Sequence, residues 1–297
     1  MTDRRLIYSP VSLSPAKITN EHLVSKATRC LESADALAGT DVNPEWKLSM
    51  IDYECILRDA DTGKLILGYF PNTLDDKILT GAINSLSGVA KLTPFRGVAS
   101  GKADPENILR NIHGKSNIRI ETTPSRSWAK VTRIASGKSM EISNYAYSGN
   151  IGFYKKINSR TIREPKTPSP SVVEFLGEIT HLLETKCPEV FSIFQTAVPE
   201  GVRYAGSPFT TITVNRDFKT AIHKDKGNYS GYSVLTASPL SSVYSGGELV
   251  FPEYGVAVPM KRGDVLIADV GGLYHGNTEF TGSRISFVVY ARNNLVI

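Results

Sequence analysis

The sequence predicts an α+β fold: a double-stranded β-helix core, jelly-roll or cupin-like, braced by N-terminal helices. Two patterns carry this. From Pro208 onward the chain breaks into short, β-branched runs separated by Gly, Asn or Asp: FTTITVN, TAIH, GYSVLTAS, GELVF, GDVLIADV and RISFVVYAR. Ahead of them, apolar residues recur at helical spacing in several stretches. A length of 297 residues, 41% hydrophobic and 21% charged, is that of a globular chain with enough apolar side chains for a sizeable core.

In chain order, residues 1–18 read as an irregular arm broken by Pro10 and Pro15. Asn20 can cap a helix through Ala38, with Leu23, Ala27, Cys30, Leu31, Ala34 and Leu37 on one face and Gly39 as its stop. Residues 48–57 and 64–70 read as a hairpin about Asp61-Thr62-Gly63. Asp75 or Asp76 opens a helix carrying Ile78, Leu79, Ala82, Ile83 and Leu86, ending near Gly88. Residues 91–165 hold shorter strand-like pieces, ILRNI, SNIRIET, AKVTRI and NIGFYKKI. The stretch 164–171, EPKTPSPS, reads as a surface crossing. Pro170 suits the first turn of a helix with the stripe Val173, Leu176, Ile179, Leu182 and Leu183, and Pro188 starts another through Ala197.

A net charge of +5 and a pI near 9.0 permit an anionic partner without requiring one. Cys30, Cys55 and Cys187 are odd in number and form no CxxC, which suits reduced thiols rather than a disulfide frame or a zinc site. No apolar run approaches the ~20 residues of a membrane span, and the N-terminus lacks a signal-peptide core. A soluble intracellular monomer with no membrane contact is expected, cytoplasmic or, in a eukaryote, nuclear.

One constellation stands out. His223-x-Asp225 is followed by a long apolar and glycine-rich interval, then His275, then Arg284-x-Ser286. On a strand, residues i and i+2 share a side, so His223 and Asp225 can meet one ion. Two imidazoles and a carboxylate can fill one face of an octahedral ferrous ion and leave three positions open. An arginine nine residues past the second histidine offers a fork of donors to a carboxylate. His22 and His181 fall in expected amphipathic helices and His113 in a turn-like piece, so all three read as structural. Gly246 and Gly247 read as a tight turn, Phe251 and Tyr254 as packing, and Asp269 as a strand end.

The segments TAIHKDKGN, GGELVFPEYGVAV, GDVLIADVGGLYHGNT and RISFVVYAR, over roughly 205–292, resemble the TET/J-binding-protein family of 2-oxoglutarate/Fe(II)-dependent dioxygenases. That family oxidises the 5-methyl group of thymine or 5-methylcytosine in DNA. The narrower likeness lies in LVFPEYG, in HGNT and in an Asn three residues after the Asp; 143–162 also resembles a block of the family. The resemblance implies that His223, Asp225 and His275 hold the iron, and that Arg284, helped by Ser286, binds the distal carboxylate of 2-oxoglutarate. It places Asn228 against the target base. Arg96, in TPFRGVASG, is the candidate for the co-substrate's other carboxylate, and Asn215 for a further polar contact to it. The cofactors implied are Fe(II), 2-oxoglutarate and O2. The products implied are the 5-hydroxymethyl base, succinate and CO2.

One domain over 1–297 is expected: a helical and hairpin part at 1–90, a bracing and substrate-side part at 91–200, and the iron-binding jelly roll at 201–297. A DNA substrate has to be single-stranded or present a flipped base, because a methyl group inside a duplex cannot reach buried iron. Lys219, Lys224, Lys226 and Arg216 beside the metal motif, and Lys115, Arg119, Arg126, Lys130 and Arg133 upstream, could form a basic rim. Tyr229 and Tyr232 could stack on a base. Two other readings stay open. One is a hydroxylase of a free nucleoside, nucleotide or amino acid at the same metal site. The other is a non-catalytic binding module, which the complete His/Asp/His/Arg set opposes.

Overall fold

Most strands near the centre of this protein are buried along nearly their whole length because both faces of their sheet are covered. The computed structural model describes residues 11–15, 17–21, 24–112, 117–123, 126–155 and 161–296. It is a mixed α and β structure with many strands. A ten-stranded sheet runs, edge to edge, Lys17–Glu21, Val24–Thr28, Cys55–Asp59, Leu65–Phe70, Val265–Asp269, Tyr232–Pro239, Arg284–Tyr290, Thr211–Arg216, Ala146–Gly152 and Lys91–Thr93. A four-stranded sheet runs Gly276–Asn277, Leu249–Phe251, Val256–Val258 and Ser49–Met50. Leu235, Ala237, Leu266 and Ala268 of the large sheet share one core with Leu249, Phe251, Val256 and Val258 of the small one, so the two pack face to face.

The large sheet's other face carries helices α1 (Asp76–Leu86), α3 (Pro170–Lys186) and α4 (Pro188–Ala197); the short helix α2 (Pro105–Asn111) lies elsewhere. Leu79, Phe175, Leu176, Ile179, Leu183 and Phe194 pack there with Ile212, Val234, Ile267 and Phe287. The Asp75 side chain accepts from the backbone N–H groups of Lys77 and Ile78, and Pro170 and Pro188 occupy first turns, as their positions in the sequence suggest. The hairpin of Cys55–Asp59 with Leu65–Phe70 turns on Asp59, whose Oδ1 accepts from Thr62 N and Oγ1, both at 2.7 Å.

Several expected elements differ. The helix proposed for 20–38 is replaced by the antiparallel strands Lys17–Glu21 and Val24–Thr28 and a single turn of 3-10 helix at Asp35–Leu37. β-branched Ile18, Thr19, Val24 and Thr28 favour strand, and Val24–Thr28 finds a parallel partner in Cys55–Asp59. Ala27 and Leu37 are both buried, but in different cores, so their helical spacing was coincidental. ILRNI lies largely in α2, with Asp104 as cap and Pro105 in the first turn. TAIH forms no strand of its own. In α3 the buried stripe is Val172, Phe175, Leu176, Ile179 and Leu183, while Val173 faces solvent. Residues 49–50 join the small sheet rather than the hairpin. A separate three-stranded sheet, Ile118–Glu121, Ala129–Arg133 and Ser139–Ile142, packs with α2 around Ile108, Val131 and Ile142. His22, His113 and Lys115 lie outside the described residues. Among the described residues, no helix is long and apolar enough to cross a membrane.

Two glycines give opposite expectations. A Cβ on Gly149, in the strand Ala146–Gly152, would sit 2.0 Å from the Val89 carbonyl oxygen, so Gly149→Ala should destabilise by about 1–3 kcal/mol or more. Gly177 is exposed within α3 with nothing within 4 Å of its Cβ position, so Gly177→Ala should stabilise by about 0.5–1 kcal/mol. Denaturant melts of the two variants read both signs.

Candidate metal centre

The backbone brings the two histidines together before any ligand is considered. His223 N donates to His275 O at 2.8 Å and His275 N to His223 O at 2.9 Å, an isolated antiparallel bridge. Asp225 N donates to Val270 O at 2.9 Å, which fixes the carboxylate beside them. The Gly after His275 is required by this approach: a Cβ on Gly276 would lie 2.9 Å from Ile222 Cδ1 and 3.0 Å from Ile222 N.

One ligand atom from each of His223, Asp225 and His275 lies within 4.8 Å of the others, and the two histidines are buried. His223 Nε2 is 3.4 Å from Asp225 Oδ1. Its Nδ1 is 2.8 Å from the Ala221 carbonyl oxygen, which calls for a proton on Nδ1 and leaves the Nε2 lone pair aimed at the shared space. His275 Nδ1 stands 3.3 Å from Leu273 O in the same sense. Burial alone pushes the Asp225 carboxyl up, but the His223 hydrogen bond and the charges of His223, His275 and Arg96 outweigh it, and the group is held below the usual carboxylate range. Burial and the neighbouring His223 charge lower His275 to about 4, against a partial offset from Asp225. An ionised carboxylate beside a neutral imidazole is the donor set a divalent ion needs.

Two cavities meet at these residues, with Arg96, His223 and Asp225 in both linings. The inner one is narrow, about 60 Å³, and also takes in Asn215, Thr236, His275, Arg284 and Ser286. Arg284 is 4% exposed. Its Nη1 donates to Gly247 O at 2.8 Å and Tyr244 Oη at 3.1 Å, and its guanidinium lies over Phe280, 4.5 Å from the ring centre. Among the described residues, no carboxylate lies within ion-pair distance of it. Arg96 Nε and Thr236 Oγ1 are buried without hydrogen-bond partners. A buried cation with no anion, together with orphaned donors, fits a small dicarboxylate such as 2-oxoglutarate. Asn215 sits opposite Ser286 in the sheet and accepts from Ser148 Oγ at 2.6 Å.

The outer cavity, about 480 Å³, is within the range of small-ligand pockets. It is lined by Asn228 and also by residues that no motif marks: Asn150, Tyr154, Thr213, Tyr290 and Arg292. These form one network. Thr213 Oγ1 donates to Asn150 Oδ1 at 2.8 Å, Arg292 Nη1 to Tyr290 Oη at 3.2 Å, and Arg292 lies over Tyr154 at 4.4 Å. Their spacing of up to 142 residues hides them in the linear chain; only the pairing of Ala146–Gly152 with Thr211–Arg216, and of that strand with Arg284–Tyr290, collects them.

Other expected contacts are placed elsewhere. Tyr229 packs against the large core and Tyr232 is buried with its hydroxyl donating to Leu65 O at 3.0 Å; neither lines the outer cavity. Lys219 is tied to Asp41 and Glu279 at 2.6 and 2.5 Å, which removes it from a free rim. Lys224, over the Tyr274 ring, and Lys226 do line the cavity. Asp269, at its strand's end, accepts from Gly272 N at 2.8 Å and pairs with Lys64 at 2.5 Å. Gly247 has a second role beyond turning. A Cβ there would lie 2.6 Å from Arg284 Nη1, so the glycine lets its carbonyl hold the guanidinium.

Two imidazoles and one carboxylate between two facing sheets define a mononuclear metal centre with a face left open. Residues 142–293 match the Tet_JBP family, the oxygenase domain of the 2OGFeDO superfamily, and the chain belongs to that family. Ferrous iron, 2-oxoglutarate and O2 are the cofactors of that superfamily, and the His/Asp/His set fits the iron. Among relatives, "Thymine dioxygenase JBP1" of Trypanosoma brucei brucei is 38% identical over 130 residues, 41% of this chain and 15% of that protein. "Bifunctional helicase and thymine dioxygenase JBP2" of Trypanosoma cruzi (strain CL Brener) is 32% identical over 165 residues, 50% of this chain and 15% of that protein. The chain thus spans about 15% of the length of these two curated relatives. A solved structure of NgTET1 in complex with 5mC DNA shares 12% identity, covering 84% of this chain and 83% of that one, with a TM-score of 0.49.

Two measurements test the centre. Under anaerobic conditions, Fe(II) at a hundredfold excess over its Kd should stabilise the fold by about 2.7 kcal/mol, read as a rise in Tm, and Asp225→Ala should abolish the rise. In the metal-free protein, the depressed His275 predicts a stability fully present above pH 6.5 and lost as pH falls towards 4, because the unfolded chain then takes up a proton that the folded one refuses. The loss is on the order of 3 kcal/mol. Melts of the wild type and of His275→Gln across that window isolate it: the wild type should lose more, and parallel curves would contradict the assignment.

Proposed function

We propose that this chain is the oxygenase part of a 2-oxoglutarate- and Fe(II)-dependent dioxygenase acting on DNA. It hydroxylates the 5-methyl group of a pyrimidine, thymine or 5-methylcytosine, and releases succinate and CO2. The facing sheets are read as the double-stranded β-helix of the superfamily. The observation that carries the reading is the position of the metal set between two unlike cavities. One is narrow and holds a buried arginine with no carboxylate partner among the described residues; the other is wide and lined by cations, amides and tyrosines. The names of the JBP relatives support thymine as the first base to test.

In this reading His223, Asp225 and His275 hold the iron, and Arg284 with Ser286 grips the distal carboxylate of 2-oxoglutarate. Arg96 and Asn215 contact the same co-substrate from the inner cavity. With 2-oxoglutarate and O2 bound, iron supplies an oxidant strong enough for C–H hydroxylation. The protein's share is to orient the methyl group and keep water and other C–H bonds away. Asn228, whose Nδ2 donates to Ser233 Oγ at 2.7 Å, is fixed at the wall of the outer cavity and orients the base edge. Lys224, Lys226 and Arg292 set the positive potential that draws a phosphodiester to this mouth.

The test is mass analysis of nucleosides after incubation with Fe(II), 2-oxoglutarate and oligonucleotides carrying thymine or 5-methylcytosine. One base should gain the mass of a single oxygen, with loss of the product in His275→Ala. Equal turnover of the free nucleoside would favour a small-molecule hydroxylase instead. Arg284→Lys should raise the KM for 2-oxoglutarate tenfold or more, since removing a charge-assisted fork costs about 1.5–3 kcal/mol.

A further inference from the structure

The segment from Thr93 to Ser100 faces two ways. Arg96 turns into the space shared by both cavities, while Phe95 and Val98 stand at the outer rim, 58% and 40% exposed. An aromatic ring left in water forgoes the stabilisation that burial would return. This one is also held out firmly. Ser143, fully buried, accepts from Arg96 N at 3.1 Å and Gly97 N at 3.0 Å, and donates through Oγ to Pro94 O at 2.8 Å. The Ser143 N–H reaches the same Pro94 carbonyl at 2.8 Å. Gly97 adopts φ +53°, and a Cβ there would press on Trp128 at 3.1 Å. The turn is pinned on both sides of Phe95.

The same mouth is strongly cationic. Arg96, Lys224, Lys226 and Arg292 line it against one carboxylate, Asp225, which belongs to the metal set. A rigid apolar tip on a cationic rim, opening onto a cavity of nucleobase scale, suits a duplex polyanion whose stack must be parted.

We propose that Phe95, backed by Val98, is the wedge that enters the base stack and fills the place vacated by the base drawn into the outer cavity. The inference rests on the reading of DNA as substrate. Extruding a paired base costs stacking and pairing, and an aromatic side chain stacked in the gap returns part of that loss. A single strand has no partner stack to reseal, so the contribution of Phe95 is specific to duplex.

The experiment compares kcat/KM on duplex and single-stranded oligonucleotides of one sequence for the wild type, Phe95→Ala and Phe95→Trp. Phe95→Ala should lower the duplex-to-single-strand ratio about tenfold, and Phe95→Trp should keep it near the wild-type value. A 2-aminopurine placed opposite or beside the target base should brighten on binding the metal-free wild type and brighten much less with Phe95→Ala. An unchanged ratio in Phe95→Ala, with the wild type active on duplex, overturns the wedge and leaves the DNA reading standing. Equal losses on both substrates, or a wild type confined to single strands, also overturn it. A wild type that oxidises no oligonucleotide sinks the DNA reading and the wedge together.

Discussion

The reciprocal backbone bridge between His223 and His275 is the constraint on which the site depends. It joins a loop leaving the large sheet to the residue preceding the small sheet's edge strand, so the metal set closes the seam between the two sheets. A bridge of only two hydrogen bonds is weak in isolation, worth ~1 kcal/mol net for each bond. It holds because its surroundings are over-determined. Ile222 N donates to Thr40 O at 2.9 Å, Asn277 N to Thr220 O at 3.0 Å, and the missing side chain at Gly276 lets the two strands of chain close to contact. Glu253 adds a further restraint. Both oxygens of this buried carboxylate accept from Tyr274 N at 3.1 Å, one residue before the ligand, and burial pushes its pKa up.

Charge is arranged around that seam so that ligands complete it. Arg284 is buried on carbonyl and hydroxyl oxygens with an aromatic ring beneath it, which tolerates the cation without neutralising it. Arg96 brings a second guanidinium to the metal set and Arg292 a third to the outer cavity, each with a buried and unsatisfied Nε. Buried polar atoms without partners destabilise a fold, so those of Arg96, Thr236 and Arg292 on the walls of the joined cavities suit a ligand that would satisfy them. The opposite arrangement appears away from the site. Lys64 with Asp269 and Lys219 with Asp41 and Glu279 are paired, and they hold loops in place.

The two halves of the chain differ in how openly they announce their structure. From Pro208 onward, the strands Thr211–Arg216, Tyr232–Pro239, Leu249–Phe251, Val265–Asp269 and Arg284–Tyr290 lie where β-branched runs and glycine turns put them. Local chemistry also sufficed where a cap or a proline spoke for itself, as at Asp75, Pro170 and Pro188. It failed over 20–38, where a helical period among apolar residues met β-branched side chains and a waiting strand edge. There the hydrogen bonds to a distant partner, Cys55–Asp59, outweighed a weak local preference. Tyr229 and Tyr232 failed differently. Their type suited stacking, but Tyr229 packs on the large core from the 3-10 turn Tyr229–Gly231, and Tyr232 is turned inward by the register of Tyr232–Pro239 against Val265–Asp269.

The sequence alone marked His223-x-Asp225 as a pair whose chemistry is carried by residue type and close spacing, and offered His275, 50 residues past Asp225, as the third member that the backbone bridge brings to them. Tertiary structure alone decided which side chains share the outer cavity. Asn150, Thr213 and Tyr290 come from three strands that meet only through antiparallel pairing, Arg292 follows the last of them, and Phe95 reaches the rim on a turn clamped by Ser143 from 48 residues away. Short-range spacing encodes two of the three ligands for an ion, whose bonds are short and directional, and the fold supplies the third. A surface for a larger partner is assembled from distant segments, and its members acquire a common purpose only when the sheets have closed.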